Sequence, residues 1–265
     1  MRKPGSKGLE TLRNLHSAAI DLLAERSYQG MNLRLLASKL GMQAGSLYNY
    51  IESKQQLLFW LMKDTTEKLL HGFERTIAEI AEPTAQMREF IAYHVAYHIE
   101  NRKESSVLQT ELHYLTPANY RAIKQLQRQY TDEVQAIIER GAAAGLFKIP
   151  DARIATFLLI QMLTSVTQWY KPRGRLTVDE LIAVFTELSF AMLGASPAQL
   201  SAGATRIAAG IHKAVNGPDG AADTVTHSLD LGSHVLHISV ARQPKARKTA
   251  DLNSPDGDEP ALATD

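Results

Sequence analysis

The chain has 265 residues, of which 45% are hydrophobic, so it can bury a substantial core in one or two domains. It contains 0 Cys, which excludes disulfides, thiolate metal sites such as zinc fingers, and a cysteine nucleophile. No apolar run reaches the roughly 18 residues of a membrane span, and no signal-peptide pattern opens the sequence. We therefore expect a soluble protein of the cytoplasm that does not bind membranes.

The formal net charge is only +1, so the distribution of charge is more informative than its total. Residues 1–54 carry eight Lys and Arg residues against four Asp and Glu residues, which gives a net charge of +4. Such a segment is a moderate electrostatic footprint for a nucleic acid, although a solvated helical surface has a similar composition.

Hydrophobic periodicity in the N-terminal part predicts three short helices followed by a long one. Asn32 and Ser53 are suitable N-caps, and Gly41 is a suitable helix terminator. The predicted boundaries are a first helix over residues 9–25 that breaks at 27–30, a second helix from Asn32 to Gly41, a third over about 43–51, and a long helix from Ser53 onward.

Helical periodicity continues to about residue 193 without a strand signal. The predicted helices cover residues 85–102, 104–115, 118–143, 151–170 and 177–193. The glycine-containing run that ends at Gly145 is not interpreted as a phosphate-binding loop, because no strand precedes it and no Gly-Lys-Ser/Thr follows it. We interpret Gly145 as a helix C-cap.

The composition changes after Ala195. Residues 197–215 are compatible with one more helix. Two alternating segments, 224–231 and 234–240, are separated by Gly232-Ser233 and predict a hairpin with a two-residue turn. Residues 243–265 have too little apolar surface to offset the entropy lost on ordering, so we expect a disordered tail.

Residues 33–51 meet the requirements of a helix-turn-helix, in which two packed helices present the polar face of the second helix to DNA. Gly41 supplies the sharp turn. The predicted inner contact consists of Leu36, Ala37, Leu40, Met42 and Leu47, and the exposed side carries Gln43, Ala44, Ser46, Tyr48, Asn49 and Tyr50. The alternative is an ordinary helical hairpin in which Tyr48 and Tyr50 only pack on neighbouring residues.

The segment LRLLASKLGMQAGSLYNYIESK, residues 33–54, resembles the DNA-binding signature of the TetR/AcrR family of transcriptional regulators. The Gly-Ser-Leu-Tyr core, the aromatic residue two positions later and the Ser-Lys pair that opens the fourth helix occur together, as in that family. The resemblance implies an all-α homodimeric repressor that binds a double-stranded DNA operator and has a ligand pocket in its larger C-terminal domain.

This resemblance also gives an expected domain organisation. A three-helix helix-turn-helix DNA-binding domain occupies residues 1–54, and a helical effector-binding and dimerisation domain occupies residues 55–195. Residues 196–265 form a C-terminal extension that is partly disordered.

The same resemblance assigns roles to single residues near the turn. The base-facing candidates are Gln43, Ala44, Ser46 and Asn49, and the phosphate-binding candidates are Arg34, Tyr48, Tyr50 and Lys54, together with the basic N-terminal arm. Phosphate contacts fix the register of a protein on DNA without specifying sequence. Gln43 replaces the usual Ser or Thr cap, which weakens capping but adds an amide that can pair bidentately with adenine.

Two C-terminal segments, 115–120 and 169–181, resemble the branch of the family that responds to CoA thioesters. That resemblance implies a small-molecule effector, which we expect to be a CoA thioester that releases the protein from DNA. The candidate effector-binding residues are Arg88, His94, His98, Arg102 and Trp169, and further candidate cations for the CoA phosphates are Lys103, Arg121 and Lys124.

Apolar stripes on the last two predicted helices favour a dimeric four-helix bundle. They consist of Ile154, Leu158, Leu163, Leu181, Val184, Phe185 and Leu188. The same stripes could face an intramolecular core, and we expect each helix to serve both purposes.

Three alternatives remain open from the sequence. His94 and His98 lie four residues apart and could bind a metal ion in a metal-responsive regulator, but no third ligand is identifiable, so no metal site or cofactor is assigned. An enzyme is not expected, because the chain lacks a Gly-x-Ser-x-Gly elbow, a Walker loop and a His-Glu-x-x-His motif. A helical adaptor that binds only protein would show no salt-dependent affinity for DNA.

Overall fold

The computed structural model describes residues 6–196 and two strands at 224–230 and 235–241. The start of the N-terminal arm, the helix expected at 197–215, the Gly232-Ser233 turn and the tail expected at 243–265 lie outside the described residues. Among the helices that the structure describes, none is both long enough and apolar enough to cross a membrane.

The described part of the chain contains ten α-helices followed by a β-hairpin. The elements are α1 (Ser6–Gly30), α2 (Leu33–Lys39), α3 (Ala44–Leu47), α4 (Lys54–Ile77), α5 (Pro83–Glu100), α6 (Arg102–Thr110), α7 (Pro117–Ala143), α8 (Ala152–Thr164), α9 (Val166–Trp169), α10 (Val178–Met192), β1 (Thr224–Asp230) and β2 (Val235–Ala241). A short 3-10 helix, Leu112–Tyr114, connects α6 to α7. The all-α prediction is confirmed for residues 6–196, and β1 and β2 pair antiparallel as the predicted hairpin requires.

Helix α1 is interrupted at Ser27, where φ is 56° and ψ is 174°. A positive φ is strained for a residue that carries a side chain. The break predicted at 27–30 is therefore confirmed only at Ser27, because residues 28–30 form one further helical turn. The N–H of Met31 donates to the carbonyl of Ser27 at 3.1 Å and closes that turn.

Capping and one glycine define the helix-turn-helix. The side chain of Asn32 accepts a hydrogen bond from the N–H of Leu35 at 2.9 Å, as expected of the N-cap of α2. Gly41 follows α2 with a φ of 63°, and the N–H of Met42 donates to the carbonyl of Ala37 at 2.9 Å. This is a Schellman end, which favours glycine at the left-handed position.

Helix α3 is shorter than predicted, because it covers Ala44–Leu47 instead of 43–51. Gln43 occupies the N-cap position but makes no side-chain cap hydrogen bond, although its carbonyl accepts from the N–H of Ser46 at 3.0 Å. Residues 48–50 continue as turns, and the N–H of Ile51 donates to the carbonyl of Leu47 at 3.2 Å. The buried side chains of Leu47 and Ile51 thus hold a single helical turn in place.

Two hydrophobic cores lie along the long helix α4. The first core is built from α1, α2, α3 and the first half of α4, and it also takes Val107, Leu115 and Ile123 from α6, α7 and the segment between them. The second core joins the remainder of α4 to α5 and to helices α7 to α10. Met62 belongs to the first core and Leu69 to the second, so α4 connects the two.

Two predicted helices are divided in the structure. The helix expected at 151–170 is split into α8 and α9 at Ser165, and the helix expected at 104–115 consists of α6 and the 3-10 helix. Gly145 follows α7 with a φ of 70°, and the N–H of Leu146 donates to the carbonyl of Gly141 at 2.8 Å. The interpretation of Gly145 as a C-cap is confirmed.

The apolar stripes of α8 and α10 are divided between core and surface. Leu163 and Phe185 are buried in the second core. Ile154, Leu158 and Leu188 are 55%, 57% and 52% exposed in the single chain. We call these three residues the α8/α10 apolar face; in the single chain their apolar side chains contact water.

Candidate nucleic-acid interface and adjoining cavity

Four of the predicted DNA-contacting side chains are exposed around the turn and α3. Tyr48 is 56% exposed, and Arg34, Gln43 and Asn49 are exposed as well. Because Gln43 does not cap α3, its amide is free to hydrogen bond with a base edge. The start of α2, the turn and the end of α3 therefore expose guanidinium, amide and hydroxyl donors.

Three other predicted contact residues are only half-exposed. Ser46 is partly covered, and Ala44 and Tyr50 pack against the first core. The packing alternative therefore applies to Tyr50, whereas the ring of Tyr48 is mostly open to solvent.

Lys54, at the start of α4, lies over an aromatic ring. Its Nζ is 4.1 Å from the centroid of the Tyr28 ring, a cation–π contact that restricts the long side chain without neutralising its charge. The side chain of Ser53 accepts from the N–H of Gln56 at 3.1 Å, which confirms the predicted N-cap of α4. The cation is thus positioned at a fixed helix start beside the helix-turn-helix.

Tyr28 joins the helix-turn-helix to the rest of the molecule. Its N–H donates to the buried carboxylate of Glu111 at 2.8 Å, and its ring stacks on that of Tyr114 with centroids 5.1 Å apart. Gln55 Nε2 donates to the Tyr28 hydroxyl at 2.8 Å and to the Tyr114 carbonyl at 2.6 Å. We call these four residues the Tyr28 junction. No local sequence pattern predicts this junction, since its members lie far apart in the chain.

A cavity of about 890 Å³ lies among α4, α5, α6, α7 and α8. Its wall mixes polar and apolar side chains. The lining residues are Thr66, Leu69, His94, His98, Ser105, Leu108, Gln109, Leu112, Lys124, Gln127, Arg128, Tyr130, Thr131, Asp132, Gln135, Arg153, Phe157, Ile160, Gln161 and Thr164. The volume is within the range of small-molecule sites in proteins.

His94 and His98 line this cavity side by side, with ring centroids 4.3 Å apart. His94 Nδ1 hydrogen bonds with the Tyr130 hydroxyl at 2.8 Å, and its Nε2 hydrogen bonds with the Thr164 hydroxyl at 2.9 Å. His98 Nδ1 hydrogen bonds with the Ser105 hydroxyl at 2.8 Å. The two imidazoles are therefore held by neutral partners.

Burial keeps both imidazoles uncharged at neutral pH. Burial lowers the pKa of His98 to about 4. Burial, reinforced by the neighbouring His98, lowers the pKa of His94 well below its ordinary value. Burial also raises the pKa of the Tyr130 hydroxyl, so this part of the wall carries no charge.

Positive charge is instead found on exposed residues of the cavity wall. Lys124 and Arg128 lie four residues apart on α7, and Arg153 lies on α8 with its guanidinium 5.7 Å from the Phe157 ring centroid. Lys124 was a predicted cation, whereas Arg128 and Arg153 were missed. The four-residue spacing on α7 was the available signal, but an exposed helical face has the same pattern.

The structure does not place Arg88, Arg102 or Trp169 on the cavity wall. The Arg88 guanidinium lies 4.4 Å from the centroid of the Phe190 ring. Arg102 donates to the carbonyls of Thr167, Tyr170 and Gln168 at 2.6, 3.0 and 3.2 Å, and Trp169 Nε1 donates to the Ser165 hydroxyl at 3.1 Å. These three residues do not line the described cavity, and their assignment to a ligand stays a prediction.

The predicted cation Lys103 is paired with a carboxylate. Lys103 forms an ion pair with Asp21 of α1 at 2.5 Å, and Lys103 and Lys39 together lower the pKa of the Asp21 carboxyl.

In the part of the chain that the structure describes, no cluster of three His, Asp or Glu residues is arranged to hold a metal ion. His94 has both ring nitrogens engaged by hydroxyls, so the histidine pair does not form a metal site in this arrangement.

The chain matches two family models over most of the described helices. Residues 15–60 match the model of bacterial regulatory proteins of the tetR family, and residues 81–193 match that of the tetracyclin repressor-like C-terminal domain. The chain is 24% identical over 179 residues to the HTH-type transcriptional repressor KstR2 of Rhodococcus jostii (strain RHA1), covering 66% of this chain and 86% of that protein.

Solved structures show the same fold. A bacterial regulatory protein in the tetR family from Rhodococcus RHA1 has a TM-score of 0.66 and 26% sequence identity, covering 70% of this chain and 98% of that chain. AibR, in complex with isovaleryl coenzyme A and operator DNA, has a TM-score of 0.61 and 24% identity, covering 68% of this chain and 98% of that chain.

A helix-turn-helix joined to a helical domain that encloses a cavity defines a DNA-binding regulator. The chain belongs to the TetR family of transcriptional regulators, since the two family models together account for its DNA-binding and C-terminal parts. Its relatives are regulators and not enzymes, so the prediction that this chain is not an enzyme is confirmed.

Substitutions at the interface should separate phosphate contacts from base contacts. Tyr48→Phe and Lys54→Ala should weaken binding to all duplexes alike, and Lys54→Ala should reduce the salt dependence by about one phosphate. Gln43→Ala should instead relax base preference, by about 1–3 kcal/mol if the amide reads adenine. Fluorescence anisotropy with operator and scrambled DNA measures both effects.

Lys63→Ala is the matched control for Lys54→Ala, because Lys63 also lies on α4 but pairs with Glu67 at 3.0 Å. The phosphate assignment is wrong if Tyr48→Phe and Lys54→Ala leave affinity unchanged while circular dichroism shows an intact fold.

Acid should destabilise the protein through the buried imidazoles. His98 takes up a proton in the unfolded chain below pH 6.5 but in the folded protein only near pH 4. Protonation of His98 therefore leaves the free energy of unfolding unchanged above pH 6.5 and lowers it as the pH falls from 6.5 toward 4. From pH 7 to pH 5 this loss is about 2 kcal/mol. Urea denaturation at constant protein concentration should show it, and His98→Gln should show a smaller loss. If wild type and His98→Gln lose the same free energy of unfolding between pH 7 and pH 5, His98 is not the source of the acid sensitivity.

Proposed function

We propose that this protein is a homodimeric repressor whose release from its operator is controlled by a small molecule bound in the cavity. One observation supports this proposal most directly. Leu108, Gln109 and Leu112 line the cavity, and Glu111 of the same short segment accepts the N–H of Tyr28. A ligand that displaces this segment therefore acts on the end of α1 and the start of α4.

Dimerisation is supported by the α8/α10 apolar face. Its three residues are each more than half exposed in the single chain, and covering them in a second copy would bury apolar area that otherwise contacts water. DNA recognition also favours a dimer, because α3 is one helical turn and would make few base contacts alone. Two-fold symmetry doubles those contacts on a palindromic operator.

The effector we propose is a CoA thioester. The cavity wall combines Lys124, Arg128 and Arg153, which suit phosphate groups, with apolar residues such as Leu69, which suit an acyl chain. AibR, a protein of the same fold, was crystallised with isovaleryl coenzyme A and operator DNA. That likeness supports the compatibility of this fold with a thioester and DNA.

The proposed mechanism is a shift between two arrangements of the DNA-binding part. In the arrangement that binds DNA, the Tyr28 junction holds Gln55 and Lys54 of α4 against α1. An effector that binds better when residues 108–112 have moved favours the other arrangement, in which the two α3 helices of the dimer no longer match adjacent major grooves. Release therefore requires that the effector bind the second arrangement more tightly than the DNA-binding one.

Leu158→Asp should convert the dimer into a monomer, because it places a charge within the α8/α10 apolar face. Analytical ultracentrifugation should show half the mass, and operator affinity should fall by at least tenfold, about 1.4 kcal/mol. Gln129→Asp, at an exposed position of α7, is the charge-matched control. A Leu158→Asp protein that stays dimeric would place the interface elsewhere.

Acyl-CoA thioesters should release DNA from a preformed protein–operator complex. Free acids and free CoA should release less, because each lacks one half of the contacts. A hundredfold loss of operator affinity requires about 2.7 kcal/mol of coupling, and DNA must weaken effector binding by the same factor. Anisotropy of labelled operator measures the release. The CoA assignment fails if no thioester of any chain length or ring type acts while an unrelated small molecule or metal ion does.

Glu111→Ala tests the Tyr28 junction without changing the cavity wall, because Glu111 does not line the cavity. The variant lacks the contact that holds the DNA-binding arrangement, so it should bind operator more weakly than wild type before any effector is added. Effector should then lower its operator affinity by a smaller further factor in anisotropy. Glu133→Ala, at an exposed position of α7, is the control and should behave as wild type.

A further inference from the structure

We propose that one part of the cavity binds an uncharged oxygen function of the effector, so that acyl groups carrying a carbonyl or hydroxyl are preferred over plain alkyl chains. We call this part the inner wall and define it by Thr66, His98 and Ser105. The inference rests on the proposed function and specifies the class of ligand that the same cavity takes.

The inner wall is polar although it is buried. Thr66, His98 and Ser105 are 2%, 5% and 1% exposed, and all three line the cavity. Elsewhere on the cavity wall, Tyr130 and Thr164 engage both nitrogens of His94. The Thr66 hydroxyl donates to the Met62 carbonyl at 2.8 Å and His98 hydrogen bonds with Ser105, which leaves part of the hydrogen-bonding capacity of these buried groups unused.

The His98–Ser105 pair offers the same hydrogen-bonding pattern in either imidazole tautomer. If Nδ1 carries the proton, it donates to Ser105, which leaves the serine O–H as a donor and Nε2 as an acceptor. If Nε2 carries the proton, the serine donates to Nδ1, and the free groups are the Nε2–H donor and the serine oxygen acceptor. One donor and one acceptor therefore remain in both cases.

An uncharged oxygen group fits this pattern better than an anion or an alkyl terminus. A ligand carbonyl accepts from the donor, and a hydroxyl engages both groups. The inner wall contains no cation for an anion, since the positive charges of the cavity are on Lys124, Arg128 and Arg153. An alkyl terminus would cover the donor and acceptor without pairing them, which a buried site penalises strongly.

The test compares matched pairs of acyl-CoA thioesters over a series of chain lengths. Each pair has the same carbon number and differs by a ketone near the end of the chain. Calorimetry gives the two affinities, and operator anisotropy gives release. We expect the oxo form to bind at least tenfold more tightly at the best length, and His98→Leu and Ser105→Ala to reduce that ratio to about one.

Two controls keep the result interpretable. Gln161→Leu changes another polar lining residue, on α8 and outside the inner wall, and should retain the preference. Ser105→Ala removes only a hydroxyl, so it remains informative if His98→Leu does not fold. Circular dichroism and urea denaturation establish folding for each variant.

Each remaining outcome decides between the two proposals. Thioesters that bind without preference for the oxo form, or a preference that survives in both inner-wall variants, overturn this inference and leave the effector class standing. If no thioester binds, the effector class is wrong, and the matched free acids decide the inference by the same ratio. If no acid binds either, the inner wall is not a ligand site and the inference is overturned as well.

Discussion

The arrangement of this molecule depends on the hydrogen bond between the N–H of Tyr28 and the buried carboxylate of Glu111. Ser27 adopts a strained positive φ directly before it, and such strain persists only where the surroundings hold it. The same contact places the Tyr28 ring against Tyr114 and under Lys54. The end of α1, the start of α4 and the 3-10 helix are therefore positioned together, and the helix-turn-helix is not attached by a loose linker.

The segment that makes this contact is also the least regular part of the cavity wall. Leu112 begins a 3-10 helix, whose hydrogen-bond geometry is poorer than that of an α-helix. A segment of this kind can change conformation at lower cost than α4 or α7, which run through the two cores. Residues 108–112 thus both line the cavity and, through Glu111, hold Tyr28 at the end of α1.

Local patterns predicted the helix-turn-helix well and the cavity poorly, for a physical reason. Asn32, Gly41 and Ser53 act within four residues of their own positions, so their roles were evident from the sequence. The partners of Arg102 lie 65 to 68 residues away, and no local pattern contains that information. The polar face of α7 around Lys124 has the composition of a solvated surface, although the fold turns it toward a cavity.

The two cores meet within α4 at the buried residues Thr65 and Thr66. The position of this boundary determines which helices share a core with the helix-turn-helix. Thr65 and Thr66 donate to the carbonyls of Leu61 and Met62 at 2.9 and 2.8 Å, a back-bonding that favours helix bending. The Tyr97 hydroxyl also donates to the Thr65 carbonyl at 2.8 Å. Helices α1 to α3 and the first half of α4 share one core with parts of α6 and α7. Thr66 also lines the cavity, so a ligand that contacts Thr66 contacts α4 at the boundary between the half that packs in the first core and the half that packs in the second.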